Sequence, residues 1–254
     1  MGHCMPGLRL VVAESRQQIS DAERLRWQVY GEEEGLLPTS ANTNGCEIDG
    51  RDFADSTTHL LVYAAGEAVG TVRLIRARSA ACTSTAAWGL ALESSFVLSG
   101  FSQPGVVLAE VTRFCVLRRF RGTRVTPALF AALKSESLRR GVTHWVAAAN
   151  METDSAEDAA LAYQLIQAKN LINPVFGARP RPLPGPPRPA RRFVYTPVER
   201  LRARRGDVSA LRLPRILSLF ADKMGARYIG SPAYDPYFNV FAAPLAVELA
   251  SFAE

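Results

Sequence analysis

The sequence predicts an α/β (α+β) fold: a mixed, mostly antiparallel central sheet flanked by helices, with a proline- and arginine-rich insertion before the last helix. Three observations predict it. Strand-like and helix-like runs follow one another as β-α-β-β-β-α-β, then an inserted helix and loop, then α-β-β. Thr58-His-Leu-Leu-Val-Tyr-Ala and Val69-Gly-Thr-Val-Arg-Leu-Ile-Arg flank Gly66, which marks an antiparallel hairpin. Finally, Pro180, Pro182, Pro184, Pro186, Pro187 and Pro189 stand among many arginines, a composition foreign to a regular helix or an inner strand.

In chain order, Leu8 to Ala13 alternates loosely and forms the first strand. Ser15 or Ser20 caps a helix running through Gln28 to Glu34, with Ile19, Leu25 and Val29 inward. A polar loop spans Pro38 to Asp55, and the hairpin follows. Ala80 to Gly105 reads as a variable loop, Val106 to Val116 as a strand, Thr123 to Arg140 as a helix and Thr143 to Ala149 as a strand. Ser155-Ala-Glu-Asp158 resembles a capping box opening a helix to about Asn170. Gly177 to Arg205 is expected to be a long loop or flap. Leu213 to Met224 is the last helix, stopped by Gly225, and two strands close the chain. The expectation is one domain over residues 1–254, with an insertion at about 151–212.

The 254 residues are 48% apolar, enough for a real core, and carry a net charge of +6. A basic chain favours acidic partners: nucleic acid, anionic lipid or an acidic carrier protein. Cys4, Cys46, Cys82 and Cys115 form no CxxC pair, which argues for a reducing compartment without a disulfide framework or zinc site. No signal-peptide pattern opens the sequence and no apolar run is long enough to span a bilayer. The expected location is cytoplasmic, with at most peripheral contact at the inner membrane.

The most informative stretch is Glu110-Val-Thr-Arg113-Phe-Cys115-Val116, followed by Arg119-Phe-Arg-Gly122-Thr-Arg124. It reads as a strand carrying an acid and a base, then a basic, Gly-marked turn into a helix. Free N–H groups and the positive end of the helix dipole make such a turn an anion site beside a proton-handling carboxylate.

The element order resembles the Gcn5-related N-acyltransferase (GNAT) fold. Arg119-Phe-Arg-Gly122-Thr-Arg124 is similar to that family's Arg/Gln-x-x-Gly-x-Gly/Ala turn, with arginine in place of the second small residue. That departure points away from acetyl-CoA, because a bulky residue crowds a pyrophosphate pressed against the backbone. Glu110-x-x-Arg113-x-Cys115-Val116 resembles the motif of ornithine-lipid N-acyltransferases and the Glu-x-x-Arg of acyl-homoserine-lactone synthases. Arg26-x-x-x-Tyr30, Asp52-Phe-Ala-Asp55 with His59, and Val72-Arg73-Leu resemble the other motifs of this branch. Ala147 to Tyr163 and Leu213 to Phe238 are more similar to the lipid-synthesis enzymes and the long-chain N-acyl amino acid synthases.

The resemblance implies an N-acyltransferase that moves a fatty acyl group from acyl carrier protein to an amino acid or related amine. The donor substrate is an acyl-phosphopantetheine, or alternatively acyl-CoA, with no permanently bound cofactor and no metal. Glu110 is implied as the proton acceptor, directly or through water. Burial would raise its pKa and Arg113 would lower it, although residues i and i+3 of a regular strand lie on opposite faces. Arg26, Tyr30, Asp52, Asp55 and Arg73 are implied on the acceptor side; a solvated turn is the competing reading of the Asp loop. Arg119, Arg121, Gly122, Thr123 and Arg124 are implied around the carrier's phosphate. Cys115 and His59 read as structural.

The arginines of the proline-rich segment (Arg179, Arg181, Arg188, Arg191, Arg192, Arg200, Arg202, Arg204 and Arg205) suit acyl carrier protein, an anionic membrane surface, or simply solvent. Two further functions compete. One is an acyl-homoserine-lactone synthase using S-adenosylmethionine. The other is a non-catalytic nucleic-acid-binding protein on the same fold, which the lack of stacking aromatics among the arginines, Phe193 and Tyr195 excepted, disfavours.

Overall fold

The computed structural model describes residues 7–78, 87–186, 189–209 and 211–251. In chain order the elements are β1 (Leu8–Val12), α1 (Arg16–Arg26), β2 (Asn42–Thr43), β3 (Cys46–Glu47), β4 (Thr57–Ala64), β5 (Glu67–Arg76) and β6 (Phe96–Ser99). They continue with β7 (Leu108–Val116), α2 (Val125–Arg139), β8 (His144–Asn150), α3 (Ala156–Ala168), β9 (Gly177–Pro180) and α4 (Pro197–Arg204). The last are α5 (Arg215–Met224), β10 (Arg227–Tyr228), β11 (Ala233–Asp235) and β12 (Val240–Glu248). The chain forms two compact units, residues 1–77 with 109–142, and residues 78–108 with 143–254.

The first unit carries the antiparallel strands β1-β4-β5-β7. Paired residues share a face and neighbours alternate, so His59, Arg73 and Glu110 point to one side and Leu60, Val72 and Phe114 to the other. Ser15 caps α1 through a capping box with Gln18, and the helix continues into a wider turn over Trp27–Glu33. Ala22 of α1 packs with Leu61 and Tyr63 on the His59 side. On the opposite side α2 presses so close that a Cβ on Gly70 would lie 2.7 Å from Val125 Cγ1. Glycine is what lets that helix seat, and Phe130 of α2 stacks on Phe114 at 4.7 Å.

In the second unit β12 pairs antiparallel with β8, β10 and β11, and β6 pairs with β9. Ser155 caps α3 by accepting from Asp158 N. Gly225, at φ +62°, ends α5 in the left-handed conformation that helix C-termini favour.

Two expectations need correction. The stretch Ala80 to Gly105 contains β6 and a short 3₁₀ turn, Ala91–Ser94; residues 79–86, with Cys82, lie outside the described residues, as does Cys4. Gly177 to Arg205 contains both a strand and a helix. Pro180 is tolerated because it is the last residue of β9, which pairs with β6 and, on its other side, donates from Ala178 N to Ile229 O at 2.6 Å before ending there. In α4, Thr196 and Glu199 form a capping box and Pro197 occupies the first turn, where its missing N–H has no bond to lose. The intervening chain is fastened by buried acids at the start of α3. Asp154 accepts from Arg191 N and Arg192 N at 2.8 to 3.0 Å, and Asp158 accepts from Val194 N and Tyr195 N at 2.8 and 3.1 Å. Arg188 lies outside the described residues. Among the described residues no helix is long and apolar enough to cross a membrane.

Candidate active site

The site grows from β7. Between Thr112, opposite Arg73, and Cys115, opposite Thr71, β7 holds one residue more than β5, a bulge. Arg113 sits in it at φ +55°, a left-handed conformation costing a side-chain-bearing residue about 1–3 kcal/mol. Two carboxylates offset that strain: Arg113 Nε donates to Glu47 Oε1 at 3.0 Å and its Nη2 to Asp49 Oδ2 at 3.2 Å. The bulge also removes the expected separation of Glu110 and Arg113. The Arg113 side chain joins the side of the sheet on which Arg73 and Glu110 lie.

There it enters a buried ionic network. Asp52, only 2% exposed, accepts two hydrogen bonds from Arg26 (2.9 and 2.6 Å), one from Arg73 (2.8 Å) and one from Asp49 N (2.9 Å). Arg26 Nη2 donates to Glu47 O at 2.7 Å, its Nε makes a 2.6 Å ion pair with Glu47 Oε2, and Arg73 Nη2 donates to Asp49 Oδ2 at 2.8 Å. Arg26, Arg73 and Arg113 thus face Glu47, Asp49 and Asp52, so the cluster balances its own charge. Burial works to raise the Asp52 pKa, but hydrogen bonds and charge from Arg26, with the Arg73 charge, outweigh it and hold the carboxyl below its usual range. Asp49 is depressed in the same way against burial, chiefly by Arg73 and by the N–H of Arg51.

Around this network, Tyr30 donates its hydroxyl to Phe114 O at 3.0 Å, beside the bulge. His59 is buried, which lowers its pKa, and its Nε2 lies 3.0 Å from the carbonyl oxygen of Asp52, which can only accept. Burial pushes the Cys115 thiol up to about 12, which leaves it no thiolate nucleophile. Glu110 is 3% exposed on β7, opposite Ile75.

Beyond β7 the chain makes a 3₁₀ turn, Arg118–Phe120, and reaches Gly122 at φ +76°, with open space where a Cβ would sit. Thr123 Oγ1 donates to Phe120 O at 2.7 Å and accepts from Val125 N at 3.3 Å, tying the turn to the first residue of α2. The arginines here differ. Arg119 pairs with Glu67. Arg121 donates to Val116 O at 3.0 Å and to Glu34 and Glu33 at 2.6 and 3.1 Å, so it braces the turn. Arg124, the residue before α2, is exposed and makes no side-chain cap.

The structure therefore brings together Arg26, Tyr30, Asp52, Arg73 and Arg113, places Glu110 on the same side of the sheet, and sets the Gly122 turn at the end of the same strand. Asp55 is exposed and stays out of the network. Glu47 and Asp49 take the place expected of it, and sequence reading passed over both as part of a polar loop. Glu23 was missed as well. It is buried on α1, and burial, then the Asp52 charge, raises its pKa; its place four residues after Ile19 and three before Arg26, on one helix face, was the available signal. Among the described residues no group of His, Cys, Asp and Glu is arranged to hold a metal.

A strand bulge beside buried ionic residues, leading through a glycine turn to a helix N-terminus, sits here on a GNAT fold. The N-acyl amino acid synthase FeeM from uncultured soil microbes superposes with a TM-score of 0.54 at 14% identity, over 98% of this chain and 94% of that one. An aminoglycoside 6′-N-acetyltransferase complexed with coenzyme A superposes with a TM-score of 0.50 at 11% identity, over 97% and 99%. No curated protein matches by sequence. The fold is that of the GNAT class. Residues 21–170 match the family described as FeeM, N-acyl amino acid synthase, and the chain belongs to that family. Its reaction class is acyl transfer to an amine.

Proposed function

We propose that the protein takes a fatty acyl group from the phosphopantetheine thioester of an acyl carrier protein and places it on the amine of an amino acid or related small molecule. The amine nitrogen attacks the thioester carbonyl carbon, the C–N bond forms, the C–S bond breaks and the thiol leaves. The proton lost by the amine passes to Glu110, directly or through water. The ammonium of a free amino acid is almost wholly protonated at neutral pH, so a base beside it raises the reactive fraction. Backbone amides at the β7 bulge polarise the carbonyl oxygen. The Gly122 turn and the start of α2 receive the carrier's phosphate, with Arg124 as the cation near it. The family's N-acyl amino acid synthases suggest the acyl amino acid product, and the chain's +6 charge suits an acidic carrier.

The observation that carries the reading is Glu110, an acid buried three residues before a strained bulge on the strand that feeds the glycine turn. Arg26, Tyr30, Asp52, Arg73 and Arg113 act in this reading as the frame of the acceptor side. Because the network is already neutral, they hold the bulge and the loop above it rather than offering a free charge. A peripheral contact with the inner membrane is part of the same reading.

The test is incubation with carrier protein or coenzyme A bearing medium and long acyl chains, an amino-acid panel, and mass spectrometry of the products. An N-acyl amino acid formed from the carrier donor in preference to coenzyme A is expected. Folded protein that makes no N-acyl product from any donor refutes it. Release of methylthioadenosine from S-adenosylmethionine would instead establish lactone synthesis.

A further inference from the structure

The eight residues of α4 are fastened along one side. Arg200 donates to Asp158 at 3.2 Å and to Tyr195 O at 2.9 Å, Arg204 pairs with Glu157 at 2.6 Å, Ala203 is buried, and Glu199 is spent in the Thr196 cap. At 100° per residue the opposite side consists of Val198, Leu201 and Arg202, with Arg205 just past the helix end. Val198 and Leu201 are 61% and 48% exposed, and both arginines are exposed. Phe193, 53% exposed, lies against the same helix with Arg200 stacked 4.6 Å from its ring. Among the described residues this outward side of the helix shows two large aliphatics and two cations, with the exposed Asp207 just beyond its end.

We infer that the outward side of α4 docks on an anionic lipid bilayer. An acidic protein surface would satisfy the arginines alone. A bilayer satisfies both features at once: headgroup phosphates pair with Arg202 and Arg205, and the acyl boundary receives Val198 and Leu201. The face is displayed rather than loose, because Asp154 and Asp158 clamp the chain leading into α4. This docking deepens the peripheral membrane contact proposed above, and it is measured without turnover, so its failure leaves the acyl transfer itself standing.

The experiment is sedimentation of the full chain with vesicles of phosphatidylcholine alone and of equal parts phosphatidylcholine and phosphatidylglycerol. Binding to the anionic vesicles only, reversed by salt, is expected. Arg202→Gln and Arg205→Gln should each weaken it about fivefold, and the Val198→Ser/Leu201→Ser pair at least about tenfold. Three results overturn the inference: no binding to anionic vesicles, equal binding to neutral ones, or binding unchanged in both sets of variants. A loss of affinity for acyl carrier protein in the arginine variants with vesicle binding intact also overturns it, and assigns the face to the carrier. All variants lie on the surface, and their thermal unfolding checks that the fold survives.

Discussion

Asp52→Asn tests the buried network most sharply. The substitution keeps the side chain's shape but removes the charge that Arg26 and Arg73 share, leaving three guanidinium groups against two carboxylates. Asp52 accepts four hydrogen bonds at 2.6 to 2.9 Å, three of them from arginine. Removing one partner from a buried ionic pair costs about 3–5 kcal/mol. For a domain of this size each kcal/mol lowers Tm by about 2–4 °C, so the expected drop is ~6–20 °C. Circular dichroism melts at pH 7 measure it. Adding Arg73→Met restores the charge balance, so the double variant should lose less than the two single losses combined, by about 0.5–3 kcal/mol. A drop below about 2 °C in Asp52→Asn, or strict additivity in the cycle, would refute the reasoning, since both follow from a closed, charge-balanced cluster.

Three further outcomes follow from the same geometry. Gly122→Ala should cost about 1–2 kcal/mol in urea unfolding, because its φ of +76° strains any side chain although the space is open; it should also raise KM for the acyl donor, and Gly122→Asn should be milder. Asp49 and Asp52 have folded pKa values below their unfolded value of about 3.9. Their contribution is therefore complete above that pH and lost as pH falls through the folded values, so Tm should hold near neutrality and decline below about pH 4; Asp52→Asn should flatten the decline, and an unchanged slope would count against the network. Asp154→Ala removes the acceptor of Arg191 N and Arg192 N, so trypsin should cut after these arginines markedly faster at native conditions, with unchanged cleavage as the contrary result.

Local patterns carried most of the fold. The Gly66 hairpin, the strand with Glu110, the Gly122 turn and the caps at Ser15 and Ser155 depend on neighbours in sequence, and each stands where its residues put it. Helix α4 was legible in Thr196-Pro197-Val198-Glu199, a capping box with proline in the first turn, but the surrounding prolines outweighed it. The bulge was not legible. Arg113 adopts a positive φ because Glu47 and Asp49, some 65 positions earlier, reach it across the fold, and no spacing within β7 announces that. For the same reason Asp52 and Asp55 looked equivalent in the loop. Only tertiary placement buries one among arginines and leaves the other in solvent.

The central claim is that Glu110 takes the proton from the attacking amine. The rate of N-acyl amino acid formation by Glu110→Gln against pH tests it directly. Gln keeps the volume and removes the base, so at pH 7 the rate should fall by about 10²–10⁴. It should then climb steadily with pH as free amine accumulates, while the unsubstituted enzyme changes far less. A Glu110→Gln rate within about threefold of the unsubstituted enzyme at pH 7, where a general base is worth at least ~10²-fold, would contradict the account.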